Sequence, residues 1–191
     1  MDFEQLSLEL LNKLIIPGVM LFAGYWLSSR GEKNKNNREF IEKQIAEFYS
    51  PMLGLRKKIV VLSELRVDIS KATDESWKET VKDKTVGWNS DDAFIPYEKS
   101  IEYDNQQLRE KIIPLYDQMV NLFTQKYWLA NESTKQWYNE LIRFVEIWHR
   151  WLLKSIPTES LQDLDHKESR LHPFYKNLEE ELNKLTKMIS T

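Results

Sequence analysis

The chain has no cysteine, and only five glycines and six prolines occur among its 191 residues. The absence of cysteine excludes a disulfide framework and a thiolate metal site. An all-β domain needs turn residues about every 8 to 12 positions, so the scarcity of glycine and proline argues against that class. The formal net charge is −3, which lacks the basic excess typical of nucleic-acid-binding proteins. These absences favour an all-α protein without a nucleic-acid partner.

Only one long stretch of the sequence lacks charge, and it covers residues 14–29. As a helix it would be about 24 Å long, which is less than the roughly 30 Å hydrocarbon core of a bilayer. Extension toward the N-terminus supplies the missing length and includes Glu9 and Lys13, which are four residues apart and can pair. We therefore predict a transmembrane helix over residues 6–28, within an anchor segment 1–30. The alternatives are that this segment packs in the core of a soluble protein or lies at the membrane interface as an amphipathic helix.

The residues that follow the predicted helix indicate its orientation. By the positive-inside rule, a basic C-terminal flank would face the cytoplasm and the N-terminus would lie outside. The expected localisation is therefore the bacterial inner membrane, with the basic flank against lipid headgroups. Within the helix, Gly24 and Ser28 form a small-xxx-small pair that would allow close helix packing and a homo-oligomer. The basic residues of the flank are Arg30, Lys33, Lys35 and Arg38.

Beyond the anchor, apolar spacing predicts a cytosolic helical domain. A basic polar linker is expected over residues 31–37, and an antiparallel bundle of about four helices over residues 38–191. Ser50–Pro51 and Pro114 are expected to interrupt or kink the helices that contain them. Residues 72–102 carry short apolar islands among polar residues, and this pattern predicts a long irregular insertion. The predicted helices are 38–49, 51–71, 104–129, 133–155 and 173–189.

The predicted insertion is rich in aromatic side chains. Trp77 and Trp88 stand in polar surroundings, and tryptophan is enriched at the energetically dominant positions of protein interfaces. We therefore expect the insertion to contact a protein partner; the alternative is that these side chains fold back onto the helical core. The candidate partner-binding residues are Trp77, Trp88, Phe94 and Tyr97.

One motif in the sequence is of a type that binds metal ions in helical bundles. Glu146 and His149 form an E-x-x-H pair, which carboxylate-bridged di-iron bundles use twice, together with glutamates on two further helices. Those further glutamates are not evident in the sequence. Glu146 also lies on the polar face of its helix, four residues before Arg150, with which it can pair. We therefore expect neither a metal nor a cofactor.

Arg143 and His149 also form an R-x5-H motif, which resembles the Arg-x4–6-His motif of HEPN ribonucleases. The resemblance implies metal-independent RNA cleavage by this arginine and this histidine on a helical scaffold of similar size. The sequence departs from the family pattern at Phe144, because a polar residue usually follows the arginine. Residues six apart on a continuous helix also point to different sides, so joint action would need a partner chain.

The stretch IAEFYSPMLGLRKKI, residues 45–59, resembles a pattern in small uncharacterised bacterial proteins with a single membrane anchor. This resemblance implies a bacterial origin and a cytosolic helical domain, and it implies no activity. The leading hypothesis is an interaction or regulatory protein that binds a protein partner at the cytoplasmic face of the membrane, or a membrane-perturbing effector. The alternative is an enzyme, in the form of the HEPN-like ribonuclease.

Overall fold

The computed structural model describes residues 32–82, 90–164 and 166–190, and no β-strand occurs in these ranges. The predicted all-α class is therefore confirmed. The chain divides into two compact units, Met1–Lys43 and Gln44–Thr191. The described residues of the first unit, 32–43, are helical. The α-helices of the second unit are α1 (Ser50–Lys82), α2 (Ser90–Gln107), α3 (Ile113–Gln125), α4 (Glu132–Lys135), α5 (Tyr138–Leu152), α6 (Thr158–Asp163) and α7 (His172–Ser190).

The core of the second unit lies among α1, α3, α5 and α7. Helix α1 packs against α3 and α7, and α3 packs against α5. Aromatic rings fill the centre. Phe123 of α3 is fully buried, with its ring centroid 5.2 Å from that of Phe48, 5.1 Å from that of Tyr138 and 5.9 Å from that of Phe174. Edge-to-face and offset arrangements of this kind add to the stabilisation from burial alone.

Two prolines lie inside helical stretches, and the chain passes each of them without a break. Pro51 follows a π-helical turn at Ile45–Tyr49, and Pro114 follows another at Leu108–Ile112. A proline cannot donate to the carbonyl four residues earlier. In both turns the residue before the proline donates its N–H to the carbonyl five residues earlier, which widens the turn and accommodates the ring. The predicted helix boundary at Ser50–Pro51 is therefore wrong.

The predicted irregular insertion over residues 72–102 is also wrong in its described part. Helix α1 continues to Lys82 and α2 begins at Ser90, while residues 83–89 lie outside the described residues. The two helices run antiparallel and contact each other. Two helices that bury only a narrow face between them need few apolar residues, which explains why the sequence pattern resembled a loop.

Smaller differences concern other segments. Residues 32–37, which belong to the predicted linker, are helical. The predicted helix 133–155 is divided into α4 and α5. The polar stretch 158–172 contains α6 and a 3₁₀ turn at Glu168–Leu171. The last predicted helix, 173–189, agrees closely with α7.

The predicted localisation, a single-pass protein of the inner membrane, is contradicted. Within residues 32–82, 90–164 and 166–190, no helix combines the length and the apolar character that crossing a membrane requires. Helix α1 has the length, about 50 Å, but charged residues recur along it. The segment predicted to span, residues 6–28, lies outside the described residues.

A network of buried polar groups joins the start of the second unit to α4 and α7. The Gln44 side-chain amide donates to the side-chain oxygen of Asn131 (3.0 Å), and the Asn131 amide donates to the Glu181 carboxylate. The backbone N–H of Asn131 donates to the Tyr49 hydroxyl (3.0 Å), which is also 3.1 Å from the Thr134 hydroxyl. Burial raises the pKa of the Tyr49 hydroxyl. These bonds satisfy polar groups that would be costly to bury alone.

Candidate functional site

The strongest candidate for an interaction surface is a two-helix extension of the bundle, which we call the arm (residues 60–82 of α1 and 90–107 of α2). Beyond Ile59, the last buried residue of α1, about 35 Å of helix remain. No described side chain of residues 60–82 or 94–107 is buried. Nevertheless, nine of the fourteen large apolar side chains exposed in the described residues belong to the arm. Large exposed apolar patches are typical of interaction surfaces, so the arm is a candidate for one.

An aromatic cluster joins the two helices of the arm. The Trp77 ring of α1 lies edge-on to Phe94 (5.2 Å between centroids) and to Tyr97 (5.1 Å), both on α2. The Tyr97 hydroxyl forms hydrogen bonds with Ser76 (3.1 Å) and Thr80 (3.2 Å), which lower its pKa. Three of the four predicted partner-binding residues are therefore brought together, whereas Trp88 lies outside the described residues. Their contacts hold α1 and α2 side by side, and a role in partner binding stays a prediction.

A separate apolar stripe follows the outer face of α1 along the arm, and we call it the α1 stripe (Val61, Leu65, Ile69 and Ala72). Val61 is 56% exposed, Leu65 55% and Ile69 42%. Ala72 is exposed as well. Spacings of four, four and three residues align side chains on one helix face. The sequence contained this periodicity, but a pattern cannot distinguish a face packed in the core from one left open.

The Arg143–His149 pair is not joined in the structure. The His149 Nε2 atom lies 2.8 Å from the Asp117 carboxylate of α3, and Arg143 is exposed on α5. No hydrogen bond or ion pair links Arg143 to His149 in the part of the chain that the structure describes. Asp117 precedes His149 by 32 residues, and no sequence motif connects the two.

Three of the six predicted membrane-flanking and packing residues lie outside the described residues: Arg30, Gly24 and Ser28. In the first unit, Lys35 pairs with Glu39 (3.9 Å) and Arg38 with Glu42 (3.1 Å). Lys33 is exposed. Exposed pairs four residues apart stabilise a helix by only about 0.3 to 0.5 kcal/mol, so these contacts define no binding site.

Within the described ranges, no cluster of three or more histidine, aspartate and glutamate side chains could hold a metal ion. Glu146 instead forms an ion pair with Arg150 (2.7 Å), as the helical spacing predicted. Comparison with known proteins gives no assignment: no protein family, curated protein or solved structure matches this chain.

Proposed function

We propose that this protein is an interaction or regulatory protein whose arm binds a helical segment of a partner protein. The observation that carries the proposal is the exposed α1 stripe, which follows one face of α1 for about three turns. A helix that places its apolar face against a complementary face is a recurrent mode of recognition, with contacts at intervals of three and four residues. Such a partner helix would cover the apolar surface that the arm exposes to water.

The aromatic cluster supports the proposal by fixing the geometry of the arm. Contacts of Trp77 with Phe94 and Tyr97 hold α2 against α1. A surface held in its binding conformation loses less conformational entropy when a partner arrives. The cluster therefore acts as a brace for the stripe.

The first test replaces Leu65 by glutamate and uses Val67→Glu as its matched control. Both side chains lie on α1 and are about equally exposed, at 55% and 50%, but two residues along a helix place them on opposite sides. A charge buried in an interface is costly, so Leu65→Glu should abolish partner binding while Val67→Glu leaves it unchanged. The full chain, carrying a photo-crosslinking residue at position 72, is expressed in its own cells, and its adducts are identified by mass spectrometry.

A partner protein crosslinked from position 72, present with Val67→Glu and absent with Leu65→Glu, is the expected result. Identical adducts for both variants would contradict the proposal. Adducts formed only with another copy of the chain would replace it with self-association, which light scattering of the purified chain would verify.

The second test removes the brace. Trp77→Ala should weaken partner binding by about tenfold, because an arm that is no longer held in place would lose conformational entropy on binding. Thermal unfolding of the bundle should change little, since the contacts of Trp77 with Phe94 and Tyr97 lie within the arm. A large fall in bundle stability with unchanged crosslinking would show that Trp77 serves the fold alone.

The ribonuclease alternative stays a prediction. The histidine that it needs is paired with Asp117, and no observation of the structure favours joint action with Arg143. The ribonuclease alternative would be supported over partner binding if His149→Ala and Arg143→Ala each abolished a cellular phenotype while the crosslinks formed from position 72 of the arm stayed the same.

A further inference from the structure

A second concave surface lies where the end of α2 and the following π turn face the end of α5. It is a cleft of about 550 Å³, a volume within the range of small-molecule sites. Its polar lining includes Asn105 and Arg109 on one side and Lys154 on the other. Its apolar lining consists of Leu108, Trp151, Leu152, Ile156 and Pro157.

The cleft is lined by two cationic residues, Arg109 and Lys154. Neither Arg109 nor Lys154 forms an ion pair with any residue that the structure describes. Glu110, which follows Arg109 in the sequence, accepts a hydrogen bond from Gln106 (3.0 Å) instead. The cleft therefore combines an apolar wall with two positive charges that are available to an anion.

The backbone conformation of Lys154 is a second, independent observation. Helix α5 ends in a Schellman motif, in which the N–H of Ser155 donates to the Arg150 carbonyl and that of Lys154 to the Trp151 carbonyl, both at 2.9 Å. Lys154 has φ of 54° and is the only described non-glycine residue with positive φ. Glycine is usual at this position because a Cβ atom is strained there. A strained residue that lines a cleft suggests a function at that position.

We propose that this cleft binds a small organic anion, in which a phosphate or carboxylate head is attached to an apolar body. Arg109 and Lys154 hold the head through charge-assisted hydrogen bonds. Trp151 and Ile156 contact the body, and the volume of the cleft exceeds that of an inorganic ion. This site is distinct from the α1 stripe, so it stands whether or not the arm binds a partner.

The ligand class is tested by titration calorimetry on the full chain with four probes: adenosine monophosphate, octanoate, inorganic phosphate and octanol. Adenosine monophosphate or octanoate should bind at least tenfold more tightly than either phosphate or octanol, since only the first two combine head and body. The tighter of the two identifies an aromatic or an alkyl body. The proposal would be overturned if neither adenosine monophosphate nor octanoate bound, or if inorganic phosphate bound as tightly as they do.

The role of Arg109 is tested with a matched variant on the same turn. Arg109→Gln should weaken binding of the tighter probe by about tenfold, which corresponds to the loss of one charge-assisted hydrogen bond. Lys111→Gln removes an equal charge from an exposed residue that does not line the cleft, and it should leave affinity unchanged. Equal losses in both variants would indicate a diffuse charge effect and refute the site.

Lys154→Gly separates binding from stability because it should change them in opposite directions. Glycine relieves the strain at positive φ, so the melting temperature of the free chain should rise. The lost ammonium should at the same time weaken binding several-fold, whereas Lys154→Arg should keep the affinity. A glycine variant that binds as tightly as the original chain would show that Lys154 has no part in recognition.

Discussion

Replacing Phe123 by alanine is expected to lower the free energy of unfolding by about 3 to 5 kcal/mol. The ring is fully buried and packs against aromatic residues from three other segments, including Phe48 and Phe174. Removal of the ring would leave a cavity at the point where the segments meet, and the neighbouring rings are too rigid to fill it. Urea unfolding followed by far-UV circular dichroism measures the change.

The matched control for this variant is Phe94→Ala. Phe94 is 37% exposed and lies on the arm, so the same chemical change should cost under about 1 kcal/mol. Nearly equal losses for the two variants would contradict the assignment of Phe123 to the centre of the core. Because typical domains are stable by about 5 to 15 kcal/mol, Phe123→Ala should also leave a measurable fraction of the chain unfolded at elevated temperature.

The sequence was sufficient to predict the helical class and the position of α7. In that helix, apolar residues recur at the spacing that buries one face, and both Leu178 and Leu185 are buried. Pro51 misled the prediction of a helix end. A proline usually ends a helix, but a π turn before it is a backbone adjustment that no residue pattern indicated.

The arm was missed for a different reason. The apolar series Ile59, Leu62, Leu65 and Ile69 recurs at intervals of three and four residues, which predicts a buried stripe along a helix, but only Ile59 of this series is buried. Whether a face meets the core depends on where the other helices end, and that is determined by tertiary packing. The Asp117–His149 contact was equally beyond prediction, since residues far apart in sequence are brought together only by the packing of α3 on α5.

Two buried tyrosines should make the protein sensitive to alkaline pH. Tyr116 and Tyr175 are 3% and 2% exposed. Burial is the main cause that raises the pKa of both hydroxyls, and the nearby Glu168 carboxylate raises them further. The Arg56 guanidinium, 4.0 Å from the centre of the Tyr175 ring, opposes the shift at Tyr175 only in part.

The sign of the pH dependence follows from the direction of these shifts. The unfolded chain releases the two protons above about pH 10, whereas the folded protein retains them. The stabilisation is therefore complete below pH 10 and is lost as the pH rises. With two protons retained, the free energy of unfolding should fall by about 3 kcal/mol per pH unit well above pH 10. Urea unfolding at a series of pH values from 8 to 11.5 measures this slope.

Tyr175→Phe isolates one of the two contributions. The Tyr175 hydroxyl is buried and makes no hydrogen bond of normal geometry to any described residue, although Tyr116 and Glu168 are close enough to influence its pKa. Its removal should therefore change stability at pH 7 by less than about 1 kcal/mol and reduce the alkaline slope by about 1.4 kcal/mol per pH unit. Tyr103→Phe, which alters a side chain that is 56% exposed, should leave the slope unchanged. If Tyr175→Phe also leaves the slope unchanged, the hydroxyl ionises freely in the folded protein, and its burial against Arg56 and Tyr116 is not what controls stability at high pH.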